Sequence, residues 1–134
     1  MVCPTQKGAR DIGLIGTLLD ERFRVGRKVG AGAMATVFEG KDEKTGETVA
    51  VKVLKPPLAG DETLRKRFER ENDVCSRLNH SNIIQVFGAG LINDKIPYSV
   101  LEYLPFPTLA ETVEKRGPIS SAEVANIMFC LADA

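Results

Sequence analysis

The 134-residue sequence has no net charge, with 18 basic and 18 acidic side chains. Because binding to a nucleic-acid backbone needs a basic excess, this balance argues against nucleic acid as a partner. Cysteine is scarce, and Cys3, Cys75 and Cys130 are odd in number and far apart. They show no metal-ligand spacing and are a poor basis for a disulfide framework. We therefore expect a protein of the reducing cytoplasm.

Long hydrophobic runs are also missing. No stretch approaches the roughly eighteen consecutive apolar residues that a membrane-spanning helix needs. The N-terminus, MVCPTQKGARDIGLIG, lacks the apolar core of a signal peptide. We interpret residues 1–21 as a flexible lead-in, with a short helical turn at Thr17–Glu21. The remaining length suits one domain, or one domain and part of another.

The most informative segment contains the glycine turn Gly30-Ala31-Gly32 between two strand-like runs, Phe23–Val29 and Thr36–Lys41. Glycines allow a ligand to approach the backbone closely. A lone GxG is more often an ordinary hairpin turn. A dinucleotide-binding fold would need its glycines to open a helix, and no GxxxxGK[ST] phosphate loop occurs. The turn alone therefore leaves hairpin and phosphate site open.

Lys52 lies in a third strand-like run, Thr48–Leu54, on the same face as Ala50. An edge-strand lysine reaching to solvent is the simpler interpretation. A small residue beside a cation, however, suits a flat base next to its phosphates. The expected mate is Glu71, which falls within the apolar stripe of a helix over 61–78 and needs a cation there. A register error would make Glu71 a solvated acid.

The rest of the chain predicts two more strands, Ile83–Phe87 and Ile96–Tyr103, and two helices, Thr108–Arg116 and Ser120 to the end. The fold class is α+β, a five-stranded antiparallel sheet with one packed helix and two further helices. The single histidine, His80, fits a turn residue capping the helix end better than a catalytic group.

Together, these motifs resemble the N-terminal lobe of a protein kinase. They are VGAGAMATV from Val29 to Val37, VAVK ending at Lys52, and Glu71 on the helix. The sequence of roughly residues 20–134 resembles bacterial eukaryotic-like (Hanks-type) serine/threonine kinases. The resemblance implies domains at 22–104, the nucleotide-binding lobe, and 105–134, an incomplete start of the second lobe.

The resemblance also implies ATP as the ligand. The glycine loop would cover the phosphates, and Lys52 would contact the α- and β-phosphates. Leu101 would be the gatekeeper, while the Glu102 carbonyl and the Leu104 amide would bind the adenine edge. Cys75 and Val86 would belong to a packed column that links the helix to the other lobe. The implied nucleotide contacts are Val29, Gly30, Ala31, Gly32, Val37, Ala50, Lys52, Glu71, Leu101, Glu102 and Leu104.

Three departures from the family pattern matter. Ala35 replaces the third glycine and Ser81 the usual proline, both mild changes. No His-Arg-Asp or Asp-Phe-Gly occurs, so the family's general base and Mg²⁺ ligands are absent, and we expect no catalysis by this chain alone. The alternative is a non-catalytic module that docks on a kinase or another protein. Its docking face would be Leu109, Val113, Ile127, Met128 and Leu131.

Overall fold

The computed structural model describes residues 13–134. The part of the expected lead-in before residue 13, including Cys3, lies outside this range. The expected helical turn at Thr17–Glu21 is wrong, because Leu18–Leu19 forms a short strand and Asp20 and Glu21 then turn with positive φ angles. This strand forms a short hairpin by pairing with Phe23 and Arg24, which the pattern of apolar residues does not reveal.

The protein is an α+β fold built on one antiparallel sheet, as the sequence predicts, with a two-residue sixth strand added at one edge. The sheet order is β1-β2-β3-β4-β6-β5. Its strands are β1 (Leu18–Leu19), β2 (Phe23–Ala31), β3 (Ala35–Asp42), β4 (Thr48–Leu54), β5 (Val86–Ile92) and β6 (Ile96–Glu102). The α-helices are α1 (Glu62–Ser76), α2 (Leu109–Arg116) and α3 (Ser121–Asp133).

The position of β5 corrects the sequence interpretation, which placed this strand at Ile83–Phe87. The strand continues through Gly88 and Gly90. A Cβ at Gly90 would come within 2.9 Å of the Tyr98 hydroxyl, and one at Gly88 within 3.4 Å of the Phe23 ring. These glycines therefore make room for aromatic side chains of the core.

Strand β4 separates two layers of packing, and its predicted alternation is confirmed. Val49, Val51 and Val53 are buried in the main core with residues from β2, β3, β5 and β6. Leu54 lies on the opposite face, in a smaller cluster with Phe68 of α1. The face of β4 that carries Lys52 is therefore the face that α1 covers.

Helix α1 begins where the sequence predicts. The side chain of Asp61 accepts hydrogen bonds from the amides of Thr63 and Leu64 and so caps the helix. The predicted apolar stripe is only partly right. Phe68 is completely buried, whereas Leu78 lies beyond the helix end and is 45% exposed. Charged residues cover most of the helix surface, so Phe68 is its main anchor to the sheet.

The last two helices are each opened by a capping box. Thr108 and Glu111 form the box of α2, and Ser120 and Glu123 form the box of α3. Hydrogen bonds from the capping residues hold the pKa of both glutamates below its ordinary value. Large apolar side chains remain exposed on both helices: Leu109, Val113, Val124, Met128, Phe129 and Leu131.

His80 lies in a turn, as its sequence context favours, but its side chain closes that turn and does not cap α1, whose C-cap residue is Arg77. Its Nδ1 accepts a hydrogen bond from the amide of Asn82 at 3.0 Å, which closes the turn after α1. Its Nε2 lies 3.4 Å from Asp133 of α3, and the side-chain amide of Asn82 donates to the carbonyl of Cys130. The turn that follows α1 is thus in contact with α3. Within residues 13–134, no helix has the length and apolar character needed to cross a membrane.

Candidate functional site

The hairpin between β2 and β3 carries the glycine turn. Gly32 donates a backbone hydrogen bond to the carbonyl of Ala35 at 2.8 Å, and Gly30 lies opposite Val37. Neither glycine has a positive φ. A Cβ at Gly30 would meet nothing within 4 Å, and one at Gly32 would be 3.8 Å from the Ala35 carbonyl. Neither conformation nor packing requires glycine here, so the loop leaves room for a ligand to approach its backbone.

The strand register brings several of the candidate residues onto one face of the sheet. Val37, Lys52 and Ser99 lie side by side on β3, β4 and β6. Ala50 lies opposite Leu101 in a neighbouring row. Since residues directly opposite in an antiparallel sheet share a face, these side chains form one surface under α1 and the hairpin.

Lys52 and Glu71 form the ion pair that the sequence predicts. Lys52 Nζ lies 3.5 Å from Glu71 Oε2 and 5.4 Å from the centre of the Phe68 ring. Glu69, two residues earlier on the helix, pairs with Arg65 at 3.6 Å and not with Lys52. The Glu71 register on α1 was therefore correct.

The pair is not sealed from solvent. The side chain of Lys52 is 31% exposed and that of Glu71 is 45% exposed. Arg67 also approaches Glu71, with Nε 3.7 Å from its second carboxylate oxygen. A partly exposed pair contributes little to stability, on the order of 1 kcal/mol or less. Its main structural effect is to hold the lysine head beside α1, close to Glu71 and the Phe68 ring.

The end of β6 is held by a contact that sequence reasoning missed. The amide of Glu102 donates to the carbonyl of Gln85 at 2.8 Å. The amide of Gln85 in turn donates to the Glu102 carboxylate at 3.3 Å. The register of β5 against β6 shifts just beyond this contact, between Val86 and Gly88. Just beyond the strand, Leu104 is 52% exposed.

The remaining candidates lie at the borders of this surface. Val29 and Ala31 belong to β2 and are exposed. Val86 lies opposite Leu101 at the start of β5, and Cys75 is partly buried in α1. The structure therefore gathers Val37, Ala50, Lys52, Glu71 and Leu101 around one surface, with the hairpin at one end and the end of β6 at the other.

These features are typical of the N-terminal lobe of a protein kinase: an antiparallel sheet, a glycine hairpin, and a strand lysine that pairs with a helix glutamate. The model of the family described as protein kinase domain matches residues 23–134, and the chain belongs to this family.

Bacterial serine/threonine kinases are among its relatives. The chain is 36% identical over 121 residues to serine/threonine-protein kinase PrkC of Bacillus subtilis, covering 90% of this chain and 18% of that protein. It is 36% identical over 119 residues to PknB of Mycolicibacterium smegmatis, covering 87% and 19%. A crystal structure of the Mycobacterium tuberculosis PknI kinase domain superposes with a TM-score of 0.75 at 27% identity, covering 89% of this chain and 48% of that one. The chain thus spans about a fifth of these curated relatives and half of the solved domain.

Proposed function

We propose that residues 22–104 form the ATP-binding lobe of a serine/threonine protein kinase and that residues 105–134 begin its second lobe. The observation that carries the proposal is the Lys52–Glu71 pair beside a hairpin whose glycines have open space where side chains would be. The kinase relatives support this assignment. The net charge of zero supports a small anionic ligand over nucleic acid, and the cysteine pattern supports a cytoplasmic location.

The phosphates would lie between the hairpin and Lys52. With no Cβ at Gly30 or Gly32, phosphate oxygens can come close to backbone amides of the loop. Lys52 supplies a positive charge on the same side, and Glu71 restrains its head. Both parts act by binding and orientation and require no proton transfer from this chain.

The adenine ring would lie between Val37 and Ala50 on one side and the second lobe on the other. The small side chain of Ala50 would leave room for a flat ring, and Leu101, opposite it on β6, would close the inner end. The Glu102 carbonyl would accept from the adenine amino group, and the Leu104 amide would donate to the ring. The hydrogen bonds to Gln85 hold Glu102 in place for this contact.

Magnesium does not fit the same residues. In the part of the chain that the structure describes, no three His, Cys, Asp or Glu side chains are grouped closely enough to hold a metal ion. The ion would neutralise phosphate charge during transfer in a complete kinase. We assign no ligand for it here, and the proposal gives this stretch nucleotide binding and orientation alone.

Binding of a fluorescent ATP analogue to the full chain tests the proposal. We expect weak binding that falls at least about tenfold in Lys52→Met, since a charge-assisted contact is worth roughly 1.5–3 kcal/mol. Lys44→Met, in the exposed β3–β4 turn, removes the same charge and is the matched control. Equal binding by wild type and the Lys52 variant would reject the phosphate role.

A second candidate function rests on the exposed apolar side chains of α2 and α3. In this alternative the chain is a non-catalytic module that docks on a kinase or another protein through these helices. Size-exclusion chromatography with light scattering, with and without a bacterial serine/threonine kinase, separates the two. A stable monomer that ignores the added kinase would eliminate the docking function and leave nucleotide binding unaffected.

A further inference from the structure

Ser99 of β6 carries a buried hydroxyl without a hydrogen-bond partner. Asp42 and Ser99 are both buried polar residues, with 4% and 0% of their surface exposed. The Asp42 carboxylate is engaged, because Arg22 donates hydrogen bonds to both of its oxygens. Within residues 13–134, by contrast, nothing forms a hydrogen bond with Ser99 Oγ. Since a buried hydroxyl without a partner costs stability, its place on this strand needs a physical reason.

The strand register places Ser99 directly beside Lys52. Gly30, Val37, Lys52 and Ser99 form one row across β2, β3, β4 and β6. Lys52 therefore has the glycine hairpin on one side and Ser99 on the other. Residues directly opposite in an antiparallel pair have Cβ atoms about 4.5–5.5 Å apart. Because the lysine side chain is long and flexible, its ammonium can reach the serine hydroxyl.

The ammonium of Lys52 is held loosely in this structure. Glu71 Oε2 lies 3.5 Å from Lys52 Nζ, which is longer than a good hydrogen bond. The Phe68 ring approaches on the same side, with its centre at 5.4 Å. An ammonium has three N–H donors. One points toward Glu71 on α1, and the other two have room for an acceptor at the hairpin and one at β6.

We propose that Ser99 is a positioning residue for Lys52, with its hydroxyl accepting a hydrogen bond from the lysine ammonium when nucleotide is bound. The inference rests on the proposed nucleotide binding and adds a residue to it. Glu71, a phosphate oxygen and Ser99 Oγ would then surround the ammonium from α1, the hairpin and β6. Three acceptors in three directions fix the position of a flexible head that Glu71 alone leaves loose.

A space-filling role for Ser99 is the competing explanation. A small residue at this completely buried position leaves room for α1 above the sheet. Alanine would leave the same room without burying a hydroxyl, and would therefore be the more stable choice. The two explanations differ in whether the hydroxyl matters, and variants that change the hydroxyl at constant shape separate them.

Anisotropy of a fluorescent ATP analogue with the full 134-residue chain measures the effect on binding. Ser99→Ala should weaken binding about threefold to tenfold, because one hydrogen bond is lost. Its midpoint in urea denaturation should equal that of the wild type or exceed it. The matched control, Ser76→Ala, removes a hydroxyl that already donates to the Asp73 carbonyl at 2.9 Å, and should bind like the wild type.

Ser99→Thr and Ser99→Val form the second comparison, because threonine and valine have nearly the same shape and only threonine has a hydroxyl. The threonine variant should bind nucleotide about threefold to tenfold more tightly than the valine variant. A role in packing alone would affect both variants equally. Equal binding by the two would therefore overturn the proposal.

A double variant tests whether Ser99 acts through Lys52. Adding Ser99→Ala to Lys52→Met should not weaken binding further, since the group that the hydroxyl positions is already gone. A full additional loss would overturn the proposal. If Lys52→Met binds weakly while every Ser99 variant binds like the wild type, the role of Ser99 fails and nucleotide binding stands. If the wild type does not bind the analogue, or if Lys52→Met binds it equally well, both fail.

Discussion

Gly30→Ala should separate binding from stability. Its φ is not in the left-handed region, and an added Cβ would meet no atom within 4 Å. Replacing glycine by alanine at such a position stabilises a protein by about 0.4–1 kcal/mol, because the unfolded chain loses freedom. We therefore expect the variant to be as stable as the wild type or slightly more so. Nucleotide binding should nevertheless weaken, since the methyl group occupies the space proposed for phosphate oxygens.

Gly90→Ala is the matched control for the same chemical change at a packed position. Its Cβ would lie 2.9 Å from the hydroxyl and 3.0 Å from a ring carbon of Tyr98. Overpacking of this kind costs about 1–3 kcal/mol. The variant should thus be clearly destabilised, while any remaining folded protein keeps its hairpin unchanged.

Urea denaturation followed by circular dichroism gives the free energy of unfolding of all three proteins, and anisotropy of a fluorescent ATP analogue gives binding. A destabilised Gly30→Ala would show that the hairpin is more tightly packed than its geometry indicates. A stable Gly30→Ala that binds nucleotide as well as the wild type would refute the argument that this glycine serves close approach.

Three further variants test the electrostatics and packing of the sheet. Arg22 holds the pKa of Asp42 at about 2, so wild-type stability should fall as pH drops from about 4 toward 2, and Asp42→Asn should flatten this acid limb in pH-dependent urea melts. Burial and a hydrogen bond to Asp20 raise the pKa of Tyr98; stability should therefore be lost as pH rises above about 10, and less so in Tyr98→Phe. Phe68→Ala should cost about 3–5 kcal/mol in thermal or urea melts; a cost below about 1 would show that α1 is held by other contacts.

Local patterning was sufficient wherever the chain's own alternation or spacing decides the structure. The valines of β4 identify the buried face, and Lys52 then has to lie on the other. Helical spacing places Glu71 over the sheet, three residues after Phe68. Both inferences need only the periods of strand and helix. They are enough to predict the Lys52–Glu71 ion pair from the sequence alone.

Strand pairings that no local pattern marks could not be found in this way. The strand at Leu18–Leu19 exists because it pairs with β2, and Leu18 itself stays 40% exposed, so no hydrophobic pattern marks it. The hydrogen bond from Gln85 to the Glu102 side chain joins residues 17 positions apart. The spacing of apolar residues within either segment does not report which groups of the two segments meet.

The glycines show most clearly why the site needed the structure. In sequence, Gly30-x-Gly32 and Gly88-x-Gly90 are the same pattern with a small residue between. In the structure the two patterns have different explanations. The Tyr98 hydroxyl leaves no room for a side chain at Gly90, whereas no protein atom restricts the space at Gly30. A glycine that packing explains carries no information about a ligand. Gly30 and Gly32 leave room for a ligand, and they lie in the hairpin whose second strand, β3, pairs with the strand that carries Lys52.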